Sequence, residues 1–456
     1  MTRPLRVAIV GSGPSGFYAA EHLQRKASGV EIEMLDRLPT PYGLVRGGVA
    51  PDHPKIKSVT RIYDRIASQP GFRFLGNVQV GRDLSHAELL EHVDAVLYAT
   101  GAQTDRALGI PGEALPGSHA ATEFVGWYNG HPDFRDGAFD LGVEAAAVVG
   151  VGNVAMDVAR ILASRPDDLA ATDLAGHALD ALRRSRVRTI HVLGRRGPVQ
   201  AAFTNPELRE FGELPDCDVI VDPRDLQLDP LSEAALAAAD DRTAEKNMQT
   251  LRDYAERSPR GGGRRIVLRF LTSPVELVGG DRVEGVRVAR NRLVAGARGD
   301  VKAEATGETE LLPVGLVFRS VGYKGVAVPG VPFDERAGVI PNLEGRVLAA
   351  PGGSAVVAGT YVAGWIKRGP SGVIGTNKPD AVESADRLLA DHAAGALPTP
   401  RAGRAGMDAL LAARGVRVVS FADWQRLDAL EVANGQRAGR PRLKFTRIDE
   451  MLEALA

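Results

Sequence analysis

Two glycine fingerprints, each set between a short apolar run and a helix-forming stretch, constrain this chain more than any other feature. Gly11-Ser12-Gly13-Pro14-Ser15-Gly16 follows the run at 5–10, and Gly150-Val151-Gly152-Asn153-Val154-Ala155 follows the run at 144–149. In such a turn the first glycine permits the sharp change of direction. The second lets a pyrophosphate approach the backbone, and the third small residue lets helix and strand pack closely. The helix start adds free N–H groups and a positive dipole end. A fingerprint alone is weak; strand, turn and helix together make it persuasive. Two of them predict an α/β chain with two parallel sheets.

The first fingerprint opens a complete βαβ unit, with a strand at 5–10, a helix at 14–26 and a strand at 31–36. Asp36 closes that second strand, where a carboxylate accepts hydrogen bonds from ribose hydroxyls. The stretch 39–57 carries four prolines, at 39, 41, 51 and 54, and reads as a structured loop and not as a regular element. A further buried strand is expected at 95–100, and a turn-rich stretch at 109–117 marks a domain crossing near 106. The second fingerprint has its helix at 153–164, more helix from 166 to about 182, and a strand at 189–193. Residues 264–290 and 310–322 read as strands and 240–256 as a polar surface helix. Beyond them come a strand at 361–365, a glycine-rich turn at 369–375, a helix at 380–394, a linker near 395–406 and two or three short C-terminal helices.

The two fingerprints differ in the charge that follows them. No acid follows the strand at 189–193; Arg195 and Arg196 stand there instead, and guanidinium groups take a 2′-phosphate that a carboxylate would repel. The competing reading is a solvated pair at a strand end. An acid at one site and an arginine pair at the other point to FAD and NADP(H), a combination suited to moving electrons from nicotinamide to flavin. Flavin must then hand them on. The chain has a single cysteine, Cys217, which excludes an internal disulfide, a CxxC pair and an iron-sulfur cluster held by cysteines of this chain alone. The acceptor is therefore external.

Composition narrows the remaining classes. With 56 Lys and Arg against 57 Asp and Glu, the net charge is −1, and no overall field would gather nucleic acid or anionic lipid. Aromatic residues are 5% with no interleaved basic platform, the nine histidines lack ligand spacing, which argues against a metal site, and no GxSxG elbow is present. No apolar run reaches the roughly 18 residues of a membrane helix, and no secretory leader is evident, so a cytoplasmic protein is the expectation.

Longer motifs carry a family resemblance. Pro39-Thr40-Pro41-Tyr42-Gly43-Leu44-Val45-Arg46, Gly48-Val49-Ala50-Pro51-Asp52-His53-Pro54-Lys55, Ala99-Thr100-Gly101, and the run from Gly364-Trp365-Ile366-Lys367-Arg368-Gly369-Pro370 through Gly372-Val373-Ile374-Gly375-Thr376-Asn377 resemble the adrenodoxin-reductase type of NADP-ferredoxin reductase, especially its bacterial members. The match covers nearly the whole chain in order and is weakest over the last 60 residues. It implies two Rossmann-like domains, with an NADP domain (107–325) inserted into an FAD domain made of 1–106 and 326–456, the latter with the C-terminal helices. Carried over, FAD contacts fall on Ser15, Asp36, Leu44, Val80, Trp365 and Gly372, beside Gly11, Gly13 and Gly16. Val373 and Ile374 belong to the same glycine-rich run, whose backbone N–H groups suit the charge that builds on a reduced flavin. NADP contacts fall on Gln103, Gly152, Asn153, Val154, Arg195, Arg196, Glu207 and Gly372, beside Gly150. Asp36 is shorter than the Glu common in the family.

The resemblance also places a histidine and an acid near the nicotinamide, matched here by His53 and Glu210; a proton relay and simple loop anchoring are both open to them. It implies electron transfer from NADPH through FAD, one electron at a time, to a ferredoxin-type iron-sulfur carrier. Ferredoxins are acidic, and two basic runs, Arg183, Arg184, Arg186, Arg188 and Arg257, Arg260, Arg264, Arg265, offer either a docking patch or a solvated face. The competing functions are an NADPH-dependent flavin monooxygenase or flavin reductase with an organic acceptor, and a non-catalytic, redox-sensing nucleotide-binding subunit.

Overall fold

The structure is a computed structural model that describes residues 3–239, 242–296 and 300–456. The chain divides into two compact units, one of Met1–Thr104, Asn129–Pro132 and Gly322–Ala456, the other of Asp105–Tyr128 and Asp133–Val321.

The first unit is built on a seven-stranded sheet. In sheet order the strands are Asn342–Leu343, Arg346–Leu348, Val356–Val362, Ala95–Tyr98, Arg6–Val10, Glu31–Leu35 and Phe72–Leu75. The five strands from Val356–Val362 onward run parallel, and the first two form an antiparallel edge. The central strand Arg6–Val10 is covered on both faces, which is why it reads as an unbroken apolar run. Each fully buried Val, Ile or Leu of this kind contributes about 1.5 to 3 kcal/mol. Helix Pro14–Lys26 has Pro14 at its first position, where a missing N–H costs nothing, and places Arg25 and Lys26 in its last turn, where they oppose the negative dipole end. Its buried face includes Phe17, whose ring stacks on Tyr63 at 4.7 Å. Helix Asn377–Ala393 from the far end of the chain packs beside it.

The second unit holds a six-stranded parallel sheet in the order Ser118–Ala120, Leu316–Arg319, Ala145–Val149, Thr189–Leu193, Arg264–Arg269, Cys217–Val221. A three-stranded antiparallel sheet, Thr272–Val278, Gly285–Ala295 and Val301–Leu312, accompanies it. Helix Asn153–Ala163 follows the second fingerprint and buries an almost wholly apolar face.

Three expectations change. The stretch 39–57 contains two four-residue helices, Leu44–Gly47 and Pro54–Lys57, the second started by its proline. The strand expected at 361–365 ends at Val362, and Trp365 opens a one-turn helix, Trp365–Arg368, because Gly364 turns the chain with φ +79°. Strands extend through much of 291–309, where no strand was expected. Of the polar helix expected at 240–256, Thr243–Glu256 is helical, and Asp240 and Asp241 lie outside the described residues.

Candidate functional site

In the first unit the three glycines of the first fingerprint divide into two kinds. Gly11 has φ +104°, and a Cβ there would lie 2.5 Å from the Ala99 carbonyl oxygen; a Cβ on Gly16 would lie 2.2 Å from the Gly11 oxygen. Both are demanded by the backbone itself. Gly13 has an ordinary φ of −80°, and a Cβ there would meet nothing within 4 Å. The fold does not demand its lack of a side chain, which leaves the room that close pyrophosphate approach requires. Nearby, Thr100 Oγ1 is buried without a hydrogen-bond partner. An open cradle and an orphaned hydroxyl at the carboxyl ends of parallel strands fit a dinucleotide.

Asp36 braces this loop. Its Oδ2 accepts from Ser12 N at 3.1 Å and Ser12 Oγ at 2.5 Å, and its Oδ1 accepts from Leu38 N at 3.0 Å. A carboxylate has about four acceptor positions, so one remains for a ribose hydroxyl. The 39–57 stretch lies over the glycines: Tyr42 N donates to Ser12 O at 3.0 Å, and a Cβ on Gly43 would sit 3.0 Å from Gly13 Cα. Leu44, 43% exposed, projects from this stretch, whereas Val80 is buried in the core. Ser15 Oγ donates to Asn377 Oδ1 at 3.1 Å, and Asn377 Nδ2 donates to Val373 O at 3.3 Å, so the first fingerprint and the Gly372–Ile374 run are tied together. Gly372 has φ +78°, Val373 is exposed and Ile374 half-buried. Trp365 Nε1 donates to Ser371 O at 3.2 Å, and its ring lies 5.8 Å from that of Tyr323. Gln103, exposed, donates its backbone N–H to Lys324 O at 3.0 Å and its side chain to Thr100 O at 3.2 Å. His53 is half-buried and precedes the first turn of Pro54–Lys57.

The second unit repeats the division of labour. Gly150 has φ +132° and a Cβ there would lie 2.1 Å from Ser320 O, while Gly152 has φ −110° and a Cβ would meet nothing within 4 Å. Ala155 is fully buried, and Val154 packs against the core. Asn153 Oδ1 accepts from Thr204 N at 2.8 Å, which docks the start of helix Asn205–Glu213 on this loop. Arg195 is exposed and Arg196 half-buried at the carboxyl end of Thr189–Leu193. Their backbone is fixed by the antiparallel sheet: Asn291 Nδ2 donates to Arg195 O at 2.8 Å and Leu271 N to Arg196 O at 3.0 Å. The site residues fall into these two groups, one per unit.

Two contributors escaped the sequence. Arg160, 3% exposed, pairs with Asp157 at 2.7 Å, Glu207 at 3.2 Å and Glu210 at 3.0 Å. It therefore fixes Glu207, expected as an NADP contact, and Glu210, expected near the nicotinamide. Its signal was an i, i+3 Asp–Arg pair within an otherwise apolar helix. Asn291 sits at a bulge in the Gly285–Ala295 strand and has no local signature.

The two basic runs meet, with Arg265 N donating to Arg188 O at 2.8 Å. Arg188 and Arg265 lie at the amino ends of parallel strands, at the edge opposite Arg195. Cys217 is fully buried, and burial pushes its thiol up to about 11, so it is not a nucleophile at neutral pH.

Comparison with known proteins identifies the family. Residues 5–195 match the family model described as pyridine nucleotide-disulphide oxidoreductase. The chain is 50% identical to NADPH-ferredoxin reductase FprA of Mycobacterium tuberculosis over 99% of both chains. It is 45% identical to the mitochondrial NADPH:adrenodoxin oxidoreductase of Bos taurus, over 99% of this chain and 92% of that one. A solved structure of M. tuberculosis FprA in complex with NADPH superimposes with a TM-score of 0.92 at 48% identity, covering 99% of this chain and 100% of that one. The chain belongs to the family of NADPH-ferredoxin and NADPH:adrenodoxin reductases.

Proposed function

We propose that this protein is an FAD-dependent reductase that takes electrons from NADPH and passes them singly to a ferredoxin-type iron-sulfur protein. The observation that carries this reading is the pairing, in one chain, of two glycine loops each open at its middle glycine, one braced by Asp36 and the other flanked by Arg195 and Arg196. When bound, FAD supplies the exchange between a two-electron donor and one-electron acceptors. The unit made from both ends of the chain holds FAD, and the unit inserted between them holds NADP.

The chain's own residues bind and orient. Gly13 and the helix start after it receive the FAD pyrophosphate, Asp36 a ribose, and the Gly372–Ile374 run the polar edge of the flavin ring system. Gly152, Asn153 and Val154 receive the NADP pyrophosphate, and Arg195 and Arg196 its 2′-phosphate. Arg160 orients Glu207 and Glu210, and His53 and Glu210 are the groups that hold or pass a proton. Ring alignment, and not proton transfer, is the main demand of the chemistry, so both are tuning groups. The carrier is acidic, and the exposed Arg183, Arg186, Arg188 and Arg265 serve long-range steering toward it; Arg188 and Arg265 lie at the amino-end edge of the sheet, away from the nucleotide loop. The absence of a second cysteine from the sequence supports an external acceptor.

The test is NADPH-driven reduction of a two-iron ferredoxin across a salt series. The proposal expects turnover that exceeds NADPH oxidation by oxygen alone, with a rate that falls as ionic strength rises. Turnover with an organic substrate but not with ferredoxin would overturn it.

A further inference from the structure

The last third of the first unit contains a fully buried carboxylate that ties its own C-terminal tail to Arg46, on the stretch that covers Gly13. Glu431, on helix Phe421–Arg437, is 0% exposed. It accepts from Arg46 Nη1 at 2.8 Å and Nη2 at 2.5 Å, from Arg442 Nη1 at 3.2 Å and from Phe445 N at 2.9 Å. Lys444 Nζ donates to Arg46 O at 3.2 Å and to Asn129 O at 3.1 Å. The Arg46 guanidinium lies over the Trp424 ring at 5.1 Å, and Trp424 Nε1 donates to Tyr42 OH at 3.1 Å. Tyr42 OH in turn donates to Asp64.

A buried charge of this kind is expensive and brings little net stability compared with an apolar replacement, so stability alone does not account for it. Tyr42 supplies the second half of the argument. It has φ +85°, a conformation a bulky residue keeps only when its surroundings impose it. That conformation brings Tyr42 N to Ser12 O and the Gly43 turn against Gly13 Cα. The groups that impose it are Asp64 on one side and the C-terminal helix on the other.

We propose that the C-terminal segment around Phe421–Arg437 and Lys444 is a latch that holds the Tyr42–Gly48 stretch down over the FAD loop, and that Glu431 is the positioning residue on which FAD retention depends. This rests on the reading of the Gly11–Gly16 loop as the FAD site. It gives a role to the part of the chain in which motif positions are fewest.

The experiment measures release of FAD from the diluted holoenzyme by the rise in flavin fluorescence, with the visible circular dichroism of the bound flavin and thermal melting recorded on the same samples. Glu431→Gln keeps the side-chain shape and removes the charge. It is expected to speed release about ten- to hundredfold, the loss of one charge-assisted contact, and to alter the flavin circular dichroism. Lys444→Met, at a half-buried position that leaves the core intact, is expected to speed release about threefold to tenfold, by loss of its solvent-screened contacts to Arg46 O and Asn129 O. Glu33→Gln is the matched control, because Glu33 is 1% exposed and bound by Arg73 and Arg404 but touches none of these groups. It should lower the melting temperature and leave release within about twofold of the parent. Release unchanged in both Glu431→Gln and Lys444→Met, or no faster in Glu431→Gln than in Glu33→Gln, overturns the latch. Gly13→Val separates the two readings: if it too retains FAD normally, the loop is not the FAD site, and if it alone loses FAD, only the latch fails.

Discussion

Replacing Gly152 by alanine isolates ligand binding from folding. The residue has φ −110° and ψ 173°, which any L-residue adopts, and a Cβ there meets nothing within 4 Å. The folded state meets no clash; alanine is a poorer N-cap than glycine for helix Asn153–Ala163, which offsets the stiffer unfolded chain, so the variant's stability stays within about 1 kcal/mol of the parent's. In the complex, the new methyl stands where the pyrophosphate must approach the loop. Loss of one charge-assisted backbone contact costs about 1.5 to 3 kcal/mol, which converts to a KM for NADPH raised about 10- to 150-fold. Gly150→Ala is the converse case. It forces a side chain into φ +132° and to within 2.1 Å of Ser320 O, so it destabilises the inserted unit by at least about 2 kcal/mol. The assay is steady-state NADPH oxidation with ferricyanide as acceptor, beside thermal melting and flavin content. Gly152→Ala should show parental melting, full flavin and a raised KM. A lowered melting temperature with an unchanged KM would refute the division of labour between the two glycines.

Other expectations are independent of that one. Changing Arg195 and Arg196 to serine should raise the KM for NADPH about 10- to 150-fold, by loss of charge-assisted contacts to the 2′-phosphate, and leave that for NADH within about twofold; equal effects on both would remove the 2′-phosphate assignment. Asn291→Ala frees the Arg195 carbonyl and should reduce NADPH-over-NADH preference about threefold to tenfold with kcat unchanged, the worth of one neutral hydrogen bond. Cys217→Ala should leave electron transfer at its parental rate while costing about 1 kcal/mol of stability, and lost activity at full flavin content would show that the thiol takes part. Burial, aided by Arg135 and Arg269 respectively, lowers His177 and His191 to about 4, so both are neutral when folded and take up a proton on unfolding below their ordinary value of 6.5. Their stabilisation is complete above that value and is lost as pH falls toward 4, about 1 to 2 kcal/mol for each between pH 7 and pH 5. Urea unfolding at the two pH values, followed by far-ultraviolet circular dichroism, should show it; equal stability would contradict the burial of both rings.

What was legible in the sequence follows from what is encoded locally. Arg6–Val10, Pro14–Lys26 and Thr189–Leu193 announce themselves because apolar runs end on glycines and a proline sits at a helix start. The helices Leu44–Gly47 and Pro54–Lys57 do not, since four residues hold no helical period and the flanking prolines and glycines carry every signal of a loop. Val301–Leu312 is exposed along almost its whole length, so the alternation that reveals a half-buried strand is missing. Within the candidate site, glycine spacing locates both loops but does not tell Gly11, required by the fold, from Gly13, which is not. Glu431 and Arg46 are 385 residues apart, and nothing near either announces the other.

Two successive rapid mixes test the central claim most directly. NADPH added first to the yellow holoenzyme should bleach the flavin absorbance at a rate that saturates with concentration. Oxidised ferredoxin added second, without oxygen, should restore it, with two ferredoxins reduced for each NADPH consumed. Bleaching that ferredoxin leaves unreversed, or no bleaching at all, would contradict the account.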